Sequence, residues 1–133
     1  MNINLAVIGL VVSDMNASLT FYRKLGLDIS PGAESEPHVE AVLPSGLKLA
    51  FDTVDTIRSF DPEWTSAAGG HRIALAFGCA NPSEVDECYT SFVADGYDGH
   101  LAPWDAFWGQ RYAVLHDPDG NAVELFAALD VSG

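Results

Sequence analysis

The chain has 133 residues, the size of one ordinary domain. With 48 % hydrophobic and 19 % charged residues it can close a packed core, which excludes global disorder. Its 19 acidic residues against 6 basic ones give a formal charge of −13, which argues against nucleic acid and anionic membrane surfaces as partners, since both demand clustered Lys and Arg.

Residues 5–12, "LAVIGLVV", read as a buried strand. Asp14 is placed to cap a helix whose apolar stripe is Met15, Leu19, Tyr22 and Leu25, and Gly26 supplies its stop. Residues 38–43 and 47–52 are two short strands around the turn "PSG". A turn-rich stretch follows at 55–70, "DTIRSFDPEWTSAAGG". Residues 72–77 form the next strand. Asn81 then caps a helix with Pro82 at its first position, and Glu84 gives a start of the capping-box kind. Val85, Tyr89 and Phe92 are its apolar stripe and Gly96 its end. Trp104, Phe107 and Trp108 fall in a segment that reads as a loop, or as one helical turn with three rings on one face. The strands "RYAVLH" and "NAVELFA" are joined by "DPDG", in which Pro presets φ, Asp bonds its own backbone and Gly takes positive φ. Cys79 and Cys88 form no CxxC, and Cys88 falls on a helix face, so buried thiols are expected rather than a disulfide. No apolar run approaches the ~20 residues of a membrane span, and no basic segment precedes an apolar one at the N-terminus. A cytoplasmic location is the expectation.

The order of elements occurs twice. "KLGLD" at 24–28 parallels "ADGYD" at 94–98, and "EAVLPSG" at 40–46 parallels "YAVLHDPDG" at 112–120 with two extra turn residues. The division that follows is a first module over 1–56, a linker over 57–70 and a second module over 71–133, together one structural domain. A half-sheet with one helix cannot bury both of its faces alone, so pairing with its twin is the physical solution.

At this point the sequence resembles the vicinal oxygen chelate superfamily, which includes glyoxalase I, the bleomycin and mitomycin resistance proteins and the extradiol dioxygenases. The carriers are "VSDMNASLTFYRKLGLD" in the first half and "DPDGNAVELF" in the second. The resemblance implies an α+β fold. Two βαβββ modules would pair curved mixed sheets around a cavity, with helices outside, and many members dimerise. It also implies metal ligands on first and last strands, at positions that here read Val7, Ala50, Arg72 and Glu124. Val and Ala cannot ligate, and Arg has five donors and no acceptor. Only Glu124 keeps a ligand type, and a slip of one residue would add only His71. Arg72 and Glu124 would instead pair across neighbouring strands, as a structural ion pair or as a ligand anchor.

His38, His100 and His116 show no ligand spacing, and no Ser or Cys sits in a nucleophile elbow. The rings of Trp104, Phe107 and Trp108 need burial, in the core, in a dimer interface or at a cavity rim. Asp105 beside them would suit an amine on a ligand, and Trp64 is a weaker aromatic candidate. The resulting expectation is a binding protein without catalytic residues, metal or cofactor. It would hold a planar, partly apolar small molecule, neutral or positively charged, through Trp104, Phe107, Trp108, Arg72, Glu124, Tyr112 and Phe51, and would confer resistance by sequestration as a homodimer. The alternative is a metal-dependent lyase, isomerase or dioxygenase of the same superfamily using Ni, Zn, Fe or Mn.

Overall fold

The computed structural model describes residues 1–67 and 72–129. The chain divides into two compact units, Met1–Ala67 and Ala68–Gly133. The fold is α+β with two mixed sheets.

In the first unit, β1 (Val7–Val12) leads into α1 (Met15–Lys24), then β2 (His38–Val42), β3 (Lys48–Thr53) and α2 (Val54–Phe60). The sheet order is β1-β3-β2, with β1 parallel and β2 antiparallel to β3. Asp14 caps α1 as expected, its Oδ1 accepting from the Ala17 N–H at 3.0 Å. The expected stop is also present. Gly26 stands at φ 101°, its N–H reaches the Arg23 carbonyl, and the Leu27 N–H reaches that of Tyr22. That pair of bonds is a Schellman motif. Leu19, Phe21 and Tyr22 bury fully, and the Tyr22 ring packs on Phe51 at 5.3 Å.

In the second unit, β4 (Ala74–Gly78) leads into α3 (Pro82–Ala94), then β5 (Asp98–Ala106), β6 (Gln110–His116) and β7 (Ala122–Ala128). The sheet order is β4-β7-β6-β5, with β4 parallel to β7 and the other pairs antiparallel. This is a complete βαβββ module. Asn81 caps α3 through the Glu84 N–H at 2.9 Å. The Glu84 carboxylate reaches one residue further back than a capping box, to the Ala80 N–H. The helix ends in the same Schellman pair as α1, with Gly96 at φ 93°. Val85, Phe92, Leu115, Val123 and Leu125 form the core between α3 and the sheet.

Four expectations need correction. β1 and β4 start two residues later than read, so Arg72 and Ile73 lie outside β4 and are exposed. The stretch read as turn-rich contains α2, started by Thr53, whose Oγ1 accepts from the Thr56 N–H, and helped by Asp55 in its first turn and Arg58 in its last. In the first unit the place of β5 is taken by residues 27–37, which carry Pro31, Gly32, a 3-10 turn at Ala33–Ser35 and Pro37 rather than a paired strand. A proline supplies no ladder donor, which suits an unpaired segment. Lastly, the repeat is shifted by two residues from the sequence match. Lys48 pairs with Val42 and Ala122 with His116, so the two connecting turns have equal length. Each is closed by the same bond, Leu43 N–H to Leu47 O in one and Asp117 N–H to Asn121 O in the other. A two-residue shift keeps every side chain on its face, which is why "EAVL" matched "YAVL" in the wrong register.

Candidate binding face

In β6, Arg111, Ala113 and Leu115 turn toward α3. Arg111 Nε meets Asp86 of that helix at 3.0 Å, and Ala113 and Leu115 are fully buried. Alternation therefore puts Gln110, Tyr112, Val114 and His116 on the opposite face. The register adds Glu124 and Phe126 from β7, Ala76 and Gly78 from β4, and Trp104 from β5. The floor beside Glu124 is made of small residues, and the Phe126 ring lies over Gly78, where a Cβ would stand 3.4 Å from Cζ.

Glu124 is half-buried, with Ala76 and Val114 as its direct strand neighbours. Diagonally across from it lies Tyr112. Burial, and then the neighbouring Glu124 carboxylate, raise the Tyr112 phenol well above its ordinary pKa. The phenol therefore stays a neutral donor.

Around Tyr112 stands a ladder of edge-to-face rings. Trp104 and Trp108 each sit 5.1 Å from it, at 86° and 80°. Trp108 also meets Trp104 at 6.1 Å and Phe107 at 4.9 Å. The Trp108 indole N–H donates to Gln110 Oε1 at 2.8 Å, which fixes its tilt. Phe107 is 97 % exposed and Trp108 46 %, so this end of the cluster is open.

The segment "WDAFW" is part strand and part turn, not a helical turn. Trp104 lies inside β5 near its end, and residues 107–109 are the hairpin turn, with Gly109 at φ 91° donating to the Ala106 carbonyl. The cross-strand pair Trp104–Tyr112 accounts for the strand conformation. β5 shifts register between Gly99 and Leu101 and between Leu101 and Trp104, and Pro103 sits in the second shift, where no ladder donor is needed.

Three expected roles change with the geometry. Asp105 follows Trp104 and so points to the other face, where Arg111 Nη1 takes it at 3.1 Å. Arg72 is exposed outside β4, and among the described residues no ion pair joins it to Glu124. The strand neighbour of Glu124 is Ala76, four positions along from Arg72. Phe51 is a core residue of the first unit, fully buried under α1. Trp64 lies under the Arg58 guanidinium at 5.9 Å and its carbonyl accepts from Arg58 Nε. His71 lies outside the described residues.

Sequence reasoning missed the approach of Tyr112 to Glu124, the ring of Phe126 and the ion network of Arg111. Period-2 alternation from Glu124 would have found Phe126. The first needed the β6–β7 register, and the Arg111 network needed the β5–β6 register and the seat of α3.

His100 and His116 stack at 4.5 Å, and His116 Nδ1 meets Asp98 at 2.8 Å. Cys79 and Cys88 are half-buried thiols not joined in a disulfide, and burial pushes the Cys79 thiol up to about 11.

A family model described as the glyoxalase/bleomycin resistance protein/dioxygenase superfamily matches residues 4–125. The chain belongs to that superfamily. Solved structures support the assignment. A glyoxalase/bleomycin resistance protein/dioxygenase from Nocardioides is 27 % identical, with a TM-score of 0.76 over 99 % of this chain and 87 % of its own. A family enzyme from Burkholderia phytofirmans PsJN shares the fold at 20 % identity, TM-score 0.81, covering 96 % of this chain and all of its own. A glyoxalase-related enzyme from Fulvimarina pelagi does so at 24 % identity, TM-score 0.77, over 93 % and 87 %. No curated protein matches the chain. The superfamily's metal-dependent members raise the question of whether a cation fits here. Of the four positions, Val7 and Ala50 carry no donor atom and Arg72 is cationic. Glu124 alone offers a carboxylate. Among the described residues no three His, Cys, Asp or Glu side chains converge to hold a metal ion. At those four positions a single carboxylate does not make a divalent-cation site.

Proposed function

We propose that this protein binds a planar, partly apolar small molecule on the face carrying Trp104, Trp108, Tyr112 and Glu124, without metal and without chemistry. The observation that carries this reading is the ring ladder standing open beside a neutral phenol and a half-buried carboxylate. Indole faces offer stacking area at little entropic cost, and Glu124 with Tyr112 offers one anchor for a polar or cationic group. The formal charge of −13 supports a cationic ligand. Sequestration of an antibiotic, as in the resistance proteins of the superfamily, by a cytoplasmic homodimer is the biological form of this reading.

The test is a titration with bleomycin, mitomycin and a simple planar aromatic amine, read by tryptophan fluorescence. Saturable quenching that is lost in Trp108→Ala supports the proposal, and no quenching by any aromatic class overturns it. Metal analysis of protein purified without chelator decides the enzymatic alternative. Near-stoichiometric Ni, Zn, Fe or Mn would favour a lyase, isomerase or dioxygenase.

A further inference from the structure

Trp108 stands in the β5–β6 turn, partly exposed, and its indole N–H donates to Gln110 Oε1 at 2.8 Å. An indole nitrogen only donates, so the atom that faces it is the carboxamide oxygen, and the orientation of the amide is settled. Oxygen and nitrogen sit on one carbon, so Nε2 of Gln110 lies close to the pyrrole edge of Trp108 with two protons to give. Among the described residues no acceptor meets that nitrogen.

Gln110 begins β6, on the face of Tyr112 and Val114 by alternation. Its partner on β7 is Ala128, whose side chain has no polar atom. Glu124 lies level with Val114, four residues of strand from Gln110, which is roughly 13 Å. The face is therefore polar at two separated places, with the ring of Tyr112 between them. One place gives protons and the other takes them: the amide nitrogen is a donor, and the carboxylate is an acceptor.

That polarity selects among planar ligands. A ring laid on Trp108 covers its edge and strips water from the amide nitrogen beside it. A ligand with no acceptor there leaves a desolvated donor unpaired, at a cost, whereas a ring carbonyl at that edge meets it. Resting on the binding function proposed above, we infer that Gln110 determines the specificity of this face. Its Oε1 holds the tilt of Trp108, and its Nε2 donates to a carbonyl oxygen on the edge of the planar ligand, whose amine lies toward Glu124.

The experiment is a calorimetric titration of the full chain with aminomethyl-anthraquinone and aminomethyl-anthracene, three-ring amines of equal charge that differ in their ring carbonyls. Wild type should bind the quinone about tenfold tighter. Gln110→Glu keeps an oxygen for the indole and has no N–H to give, so it should bring the two affinities within about twofold of each other. The Trp108 indole proton, followed by NMR, should keep its shift in that variant and move upfield in Gln110→Leu. Equal affinities in wild type overturn the inference and leave the binding function standing. So does a preference that survives Gln110→Glu unchanged. So does one lost together with a moved indole proton in Gln110→Glu, because the tilt of Trp108 is then the cause. Binding of neither compound removes the binding function and the inference together.

Discussion

Tyr112 and Glu124 are the pair on which the candidate face turns. Tyr112→Phe keeps the ring ladder and removes the hydroxyl beside a half-buried carboxylate. Stability in urea unfolding should move by about 1 kcal/mol or less, and affinity for a cationic ligand should change more than affinity for a neutral one. His38 is the other informative residue. It occupies the position in the first unit that Tyr112 holds in the second, and it donates to a carboxylate. Asp52 first, and then Glu40, raise its pKa above the ordinary value. A raised folded-state pKa contributes stability that is fully present below the unfolded value, about 6.5, and is lost as pH rises through the folded value. The difference in Tm between wild type and His38→Gln should therefore be largest at pH 5–6 and shrink as pH rises from about 6.5 toward 9. A constant difference would show that only packing is involved.

Among the elements, the packing of α3 depends on Gly99. A Cβ there would stand 2.7 Å from Val93 Cγ2 and closer still to the Tyr89 ring. Gly99→Ala should displace the Tyr89 and Val93 side chains and cost about 1–3 kcal/mol, read as an earlier urea midpoint. The β6–β7 turn depends on Asp117. Its Oδ1 accepts from the N–H groups of Asp119 and Asn121, and its Oδ2 from the Asn121 amide, each at 2.9 Å. Asp117→Ala should cost about 2–3 kcal/mol, because it strands those donors in a partly buried turn that sets the register of Glu124.

For the whole molecule, the charge of −13 is spread over 19 acidic and 6 basic residues, so like-charge repulsion opposes the compact state. Its ion pairs are exposed or half-buried, as in Arg111 with Asp86 and Asp105, and are worth little individually. Screening should therefore help more than it harms. Tm should rise as NaCl goes from about 0.02 to about 0.5 M, where the Debye length contracts to a few ångströms. No helix among the described residues is long and apolar enough to cross a membrane.

The sequence by itself determined what depends on nearest neighbours. Asp14 and Asn81 as caps, Gly26 and Gly96 as stops, the DPDG turn and the apolar stripes of both helices all act within a few residues of chain. Those local signals, together with the repeat, were enough to reach the superfamily. Only the tertiary structure decided matters that depend on strand register. These are the two-residue offset of the repeat, the separation of Glu124 from Arg72, and the turning of Asp105 away from the rings. The reason is periodicity. A strand repeats every two residues, so a shift of two leaves the hydrophobic pattern unchanged while replacing every partner. The aromatic segment was misread for a related reason: i, i+3, i+4 spacing suits a helical turn, and only the cross-strand contact of Trp104 with Tyr112 makes it the end of a hairpin.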